Sequence, residues 1–150
     1  MEGQVLQRNN NNKGKTIIKG MCKGPGIVEI LVKNTKNKTR WKKTGTATAA
    51  SFEANVNNIP AGGPYSLEIR VVSQENKIID KTTIKEFYVG DVWFLGGQSN
   101  MQGIGNLSSA PKPHPMVRAF YMRDEWDIAK EPLHIPVSYT HLTLPTIYSV

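Results

Sequence analysis

Four stretches of the chain carry strand patterning. Thr16-Ile-Ile-Lys-Gly20 and Ile27-Val-Glu-Ile-Leu-Val-Lys33 are short and rich in β-branched residues. In Tyr65-Ser-Leu-Glu-Ile-Arg-Val-Val72, Tyr65, Leu67, Ile69 and Val71 alternate with Ser66, Glu68, Arg70 and Val72. That period of two predicts a strand with one buried face. Lys77 to Val89 supplies another apolar-interrupted run. The breaks between them use turn chemistry: Lys23-Gly-Pro-Gly26, Pro60-Ala-Gly-Gly-Pro64 and the polar loop Asn9 to Asn12. No helical period persists over residues 1–89. Short strands with such breaks predict an antiparallel β-sandwich there.

Beyond residue 89 the pattern changes. Val92 to Leu95 is a continuous apolar run, expected of a strand buried on both faces of an α/β sheet. It leads directly into Gly96-Gly97-Gln98-Ser99, and Pro115 to Met122 reads as the next strand. Charge shifts at the same place. Residues 1–89 hold 15 Lys and Arg against 7 Asp and Glu, whereas residues 90–150 hold 4 against 5. Two modules are therefore expected to meet near residue 90.

Composition bounds the remaining possibilities. With 150 residues, 39% hydrophobic and 21% charged, the chain can bury a core, and collagen-like, coiled-coil and fully disordered classes are excluded. No run of about 18 apolar residues exists to form a membrane-spanning helix, and no signal peptide is visible at the start. The single cysteine, Cys22, excludes an internal disulfide and reads as a small packed hydrophobe.

Two features invite binding roles. Lys33, Lys36, Lys38, Arg40, Lys42 and Lys43 surround Trp41. Such a cluster can hold phosphates and stack bases, but no nucleic-acid motif accompanies it. A solvated hairpin whose lysines guard edge strands is the simpler reading. Trp41 also offers a face for sugar stacking, against which core or hairpin packing is weighed.

The chemistry concentrates at Ser99. Glycines at a strand's carboxyl end let the backbone turn sharply, which exposes the serine hydroxyl and aims its own N–H at the same space. This suits a nucleophile; a phosphate-binding turn or a capped loop remains open on spacing alone. Neither the Walker A pattern nor G-x-G-x-x-G occurs, and Met101 breaks the G-x-S-x-G elbow.

Gly97-Gln98-Ser99-Asn100-Met101, preceded by Gly90-Asp91-Val92-Trp93, resembles the first block of the sialate O-acetylesterase-like carbohydrate esterases, within the SGNH hydrolase superfamily. Gln4-Val5-Leu6-Gln7-Arg8, Ala61-Gly62-Gly63-Pro64-Tyr65, Trp126 and Ala129-Lys130-Glu131-Pro132-Leu133 are similar to further family elements in the same order. The resemblance implies an N-terminal antiparallel β-sandwich over 1–89, followed over 90–136 by the truncated start of an SGNH-type α/β/α hydrolase domain. It implies serine esterase chemistry on acetylated sugars, with no cofactor, metal, nucleic acid or membrane partner, in an extracellular or periplasmic setting. Ser99 matches the nucleophile, and its amide matches one oxyanion donor. Gly97, Gln98 and Asn100 shape the turn. The family's base histidine lies in a later Asp-x-x-His block that this chain lacks, so the chain alone is expected to be nearly inactive. His114 and His134 match no base position, and Asp124, Glu125 and Asp127 read as a solvated acidic surface. An acetylxylan esterase and a non-catalytic carbohydrate-binding β-sandwich are the competing readings.

Residues 132–150 contain no Asp, Glu, Lys or Arg. Val137 to Thr146 resembles one reading frame of a sequencing-library transposon adapter. Residues 137–150 are therefore expected to be a non-native tail, and Tyr139 and His141 are given no role. A parent gene reading through Val150 would refute this.

Overall fold

The computed structural model describes residues 2–34, 40–97 and 106–133, together with the backbone of 146–149. Seven strands precede residue 91: β1 (Val5–Gln7), β2 (Lys13–Met21), β3 (Gly26–Asn34), β4 (Lys42–Ala47), β5 (Ser51–Pro60), β6 (Gly62–Val72) and β7 (Ile78–Gly90). They form one sheet in the order β1-β7-β6-β3-β4-β5-β2. All neighbours are antiparallel except β1 and β7, which run parallel with Val5 opposite Tyr88.

This arrangement corrects the expected sandwich. Ile18 of β2, Val28 of β3, Ala47 of β4, Val56 of β5, Leu67 of β6 and Val89 of β7 belong to one buried cluster. The single sheet curls around that cluster as a nearly closed barrel. Irregularities in register between Gly14 and Thr16, between Val28 and Glu29 and between Tyr65 and Leu67 help it bend. Alternation along a strand states which face is buried. It does not state whether that face meets a second sheet or the far side of its own.

Closure occurs at the chain's beginning. The Asn9–Asn12 turn brings β2 back beside β1, and Arg8 bridges Gly14 in antiparallel fashion. A Cβ on Gly14 would stand 2.8 Å from Val89 Cγ1, so the absent side chain lets β2 and β7 meet. Gly45 serves a similar approach, since a Cβ there would lie 2.0 Å from the Glu53 carbonyl oxygen.

The barrel's outer face carries an ionic ladder. The Arg70 guanidinium bonds Glu29 at 2.7–2.8 Å and lies 4.0 Å from the Trp41 ring centroid. Glu68 accepts from Lys33 and from Lys81, the latter at 3.1 Å. Hydrogen bonding from Lys33, then from Lys81, holds the Glu68 carboxyl below its ordinary range. A lowered native pKa contributes stability above the unfolded value and loses it as pH falls through the native one. Glu68→Gln is therefore expected to lower the urea midpoint at pH 7, with the gap from the parent chain closing in strong acid. An equal gap at both pH values would contradict this account.

The second sheet contains β8 (Val92–Leu95), β9 (Arg118–Tyr121), β10 (Glu125–Ile128) and β11 (Thr146–Ser149), in the order β10-β9-β11-β8 with every neighbour antiparallel. A short 3-10 turn spans Leu107–Ser109. This corrects the expected α/β/α start: among the described residues there is no α-helix and no adjacent parallel pair in this sheet. The run Val92–Leu95 is a strand but not a doubly buried one, because Trp93 is 57% and Phe94 68% exposed. Among the described residues no helix packs on either face of this run.

Candidate active site

The candidate site is built where the two sheets join. Arg8, at the end of β1, donates its backbone N–H to the Gly90 carbonyl at 2.8 Å. Its guanidinium pairs with Asp91 at 2.8 Å. Gln7 Oε1 accepts the Val92 N–H, also at 2.8 Å. The polar end of Val5-Leu6-Gln7-Arg8 thus clamps the start of Gly90-Asp91-Val92-Trp93. Two motifs more than 80 positions apart meet here, and β8 leaves that clamp toward Gly96 and Gly97.

Gly97 follows β8 and is exposed. Gln98, Ser99 and Asn100 lie outside the described residues. The same applies to Lys36, Lys38, His134 and His141. His114 lies in an exposed turn, where its Nδ1 accepts the Met116 N–H at 3.2 Å and its carbonyl accepts from Val117 at 3.0 Å. Arg123 engages two of the acidic residues downstream: Nε reaches Glu125 at 2.6 Å and Nη2 reaches Asp127 at 3.2 Å. Asp124 occupies the intervening turn with φ +60°. Among the described residues no group of three or more His, Cys, Asp or Glu converges as a metal site.

The described part of the basic cluster lies on or next to the antiparallel pair β3 and β4. β4, which carries exposed Lys42 and Lys43, lies between β3 and β5 in the sheet, pairing with β3 at both lysines and with β5 at Ala47. Lys33 is engaged by Glu68, and one face of Trp41 is covered by Arg70. A sugar has no access to that face while Arg70 stays in place.

Sequence reasoning missed the joint that carries β9. Arg118 is 6% exposed, and its guanidinium donates to the Glu86 carboxylate and the Tyr88 hydroxyl. It also lies 4.5 Å from the Tyr88 ring centroid. The Tyr88 hydroxyl in turn donates to Glu86 at 2.9 Å. Glu86 occupies an irregular part of β7 with φ +48°, between Ile84, opposite Leu67, and Phe87, opposite Tyr65. Burial chiefly pushes the Tyr88 hydroxyl above its ordinary pKa. The neutral phenol therefore contributes stability below the unfolded tyrosine range, which is lost as pH rises through the native value. Gly3 (φ +74°) completes the joint: a Cβ there would stand 2.9 Å from the Trp126 carbonyl oxygen. The available signal was an arginine beginning the apolar run Arg118-Ala-Phe-Tyr, with an acid and a tyrosine two positions apart on β7.

Tyr121 orders the segment after β10. Its hydroxyl donates to the Ile128 carbonyl and accepts the Lys130 N–H, both at 3.0 Å. Trp126 packs on Phe120 with ring centroids 5.6 Å apart. The Trp126 and Glu131-Pro132-Leu133 elements are thereby set beside β9.

Residues 89–145 match the family described as carbohydrate esterase, sialic acid-specific acetylesterase. The match includes Gly97-Gln98-Ser99-Asn100-Met101 and overlaps residues 137–145 of the adapter-like stretch. No curated protein and no solved structure matches the chain. Over residues 89–145, well under half of its length, the chain is similar to the sialic acid-specific acetylesterase family of carbohydrate esterases.

Proposed function

We propose that the segment around Ser99 performs serine-dependent O-deacetylation of an acetylated carbohydrate, with O-acetylated sialic acid the first substrate class. The family match over residues 89–145 carries this reading, because it contains Ser99 in its Gly-Gln-Ser-Asn-Met setting. The clamp from β1 onto Asp91 and Val92 supports it by fixing the strand that precedes Ser99 in the chain. An extracellular or periplasmic location belongs to the same proposal, since such glycans are displayed there.

In the proposed reaction the Ser99 hydroxyl attacks the acetyl carbonyl while a histidine takes its proton. Backbone N–H donors, that of Ser99 included, hold the resulting oxyanion. The C–O bond to the sugar breaks, and the histidine returns the proton to the departing sugar oxygen. Water then attacks the acetyl-serine, releasing acetate and restoring the hydroxyl. His114 is a poor source of the base, because its Nδ1 already serves the turn at Met116. The 150-residue chain by itself is accordingly proposed to turn over very slowly.

The test uses a serine-directed organophosphate on the native gene product that carries this segment. Peptide mass mapping is expected to find the phosphoryl adduct on Ser99, with O-acetylated sialic acid slowing its formation. An adduct confined to other residues, or none under conditions that label serine esterases, would overturn the assignment.

A further inference from the structure

The barrel is sealed at one end only. Gly14 meets Val89, and β1 fills the space beside Tyr88–Gly90. Farther along, among the described residues, no strand pairs with Thr16–Met21 of β2 on the side away from β5, nor with Ile78–Lys85 of β7 on the side away from β6. Between these edges lies an open cleft of about 480 Å³. Its floor is the barrel's own core: Ile18, Phe52, Ile69, Val71 and Ile84. An apolar floor flanked by two strands with unused backbone donors and acceptors is the geometry that β-strand addition requires.

The edges also specify the guest's charge. β2 contributes Lys13, Lys15 and Lys19 with no acid, and Ile78–Lys85 contributes Lys81 and Lys85 against Asp80 alone. Asp80 already accepts the Lys23 and Lys81 N–H groups. Lys19 and Lys81 have partners in Glu53 and Glu68, whereas exposed Lys15 and Lys85 have no carboxylate partner among the described residues. Lysines on an edge repel a second copy of the same edge. They do not repel an acidic strand.

We propose that this seam binds an extended segment of a partner protein in which acidic and apolar residues alternate. Because β1 runs parallel to β7 and antiparallel to β2, the guest pairs parallel with one edge and antiparallel with the other. Its apolar side chains face Ile18, Phe52 and Ile84, and its carboxylates reach Lys15 and Lys85. The unpaired edges, Thr16–Met21 and Ile78–Lys85, match a guest of about six residues, or about 20 Å of strand, which runs up to Lys15 and Lys85.

The experiment uses the full chain and two labelled hexapeptides, Glu-Val-Glu-Val-Glu-Val and Lys-Val-Lys-Val-Lys-Val. Fluorescence anisotropy is expected to show the acidic peptide binding about tenfold or more tightly, with affinity falling as salt rises from about 0.05 M to about 0.5 M. Amide exchange is expected to slow within Thr16–Met21 and Ile78–Lys85. The surface double variant Lys15→Glu/Lys85→Glu should reverse the peptide preference while keeping the parent's circular dichroism. Equal or absent binding of both peptides, protection elsewhere, or an unchanged preference in that variant would overturn the proposal. So would a concentration-dependent dimer protecting the same amides, which would assign the seam to a second copy.

Discussion

Replacing Ser99 by alanine is expected to lower acetyl release by about 10³-fold or more in the native gene product carrying this segment. Removing a nucleophile eliminates the covalent route. What survives is the activity that binding and oxyanion stabilisation give to direct attack by water. KM for the acetylated sugar should change little, because the hydroxyl acts on the transition state rather than on ground-state binding. Hydrolysis continuing at the parent rate would remove Ser99 from the mechanism, and a raised KM with unchanged kcat would recast it as a binding group. Asn100→Ala provides a contrast. If that side chain only shapes the turn, its loss should be smaller and should leave organophosphate labelling of Ser99 in place.

The second large effect concerns the joint between the sheets. Arg118 is 6% exposed, while the Glu86 side chain is 44% exposed. This difference sets the order of the two deletions. Arg118→Met leaves behind a carboxylate that water can reach and a phenol that retains its bond to Glu86. Glu86→Ala instead leaves a buried guanidinium with no acid, a situation that costs about 3–5 kcal/mol when the charge has no alternative. Arg118 has little slack to absorb this, as its Nε is buried without a hydrogen-bond partner among the described residues. Glu86→Ala is therefore expected to lower stability more than Arg118→Met, and the double variant should recover part of the loss. Urea denaturation of the three variants measures this directly. A larger loss for Arg118→Met, or simple additivity of the two changes, would show that the pair does not act as a unit.

The parts legible in the sequence were those governed by local pattern. β6 was plain because Leu67, Ile69 and Val71 alternate with polar neighbours, and Lys77 to Val89 closely anticipates β7. β5 alternates equally well in the structure, with Phe52, Ala54 and Val56 buried. Its alanine and three asparagines are weak strand formers, so the signal was hidden in composition. The enclosing barrel was not legible, because closure depends on β2 and β7 meeting at Gly14, a contact between positions 75 residues apart. The apolar run at Val92 misled for a related reason: it resembles a doubly covered strand, but burial depends on what packs against it. At the candidate site, the residues around Ser99 were readable as a motif. The Gln7 and Arg8 clamp appeared only once β1 was seen to lie against β7.

That parallel pairing of Val5 with Tyr88 also sets the timetable of synthesis. β1 is joined to the last strand of its barrel, so it waits until more than eighty further residues have emerged. Throughout that interval Val5 and Leu6 lack their partners Tyr88 and Val89, and the bridge between Arg8 and Gly14 has only half its neighbours. The long loop must close before either contact repays its entropy. Translation thus finishes Gly90 just before it delivers Asp91 and Val92 to the clamp, so closure of the barrel and anchoring of β8 follow one another directly.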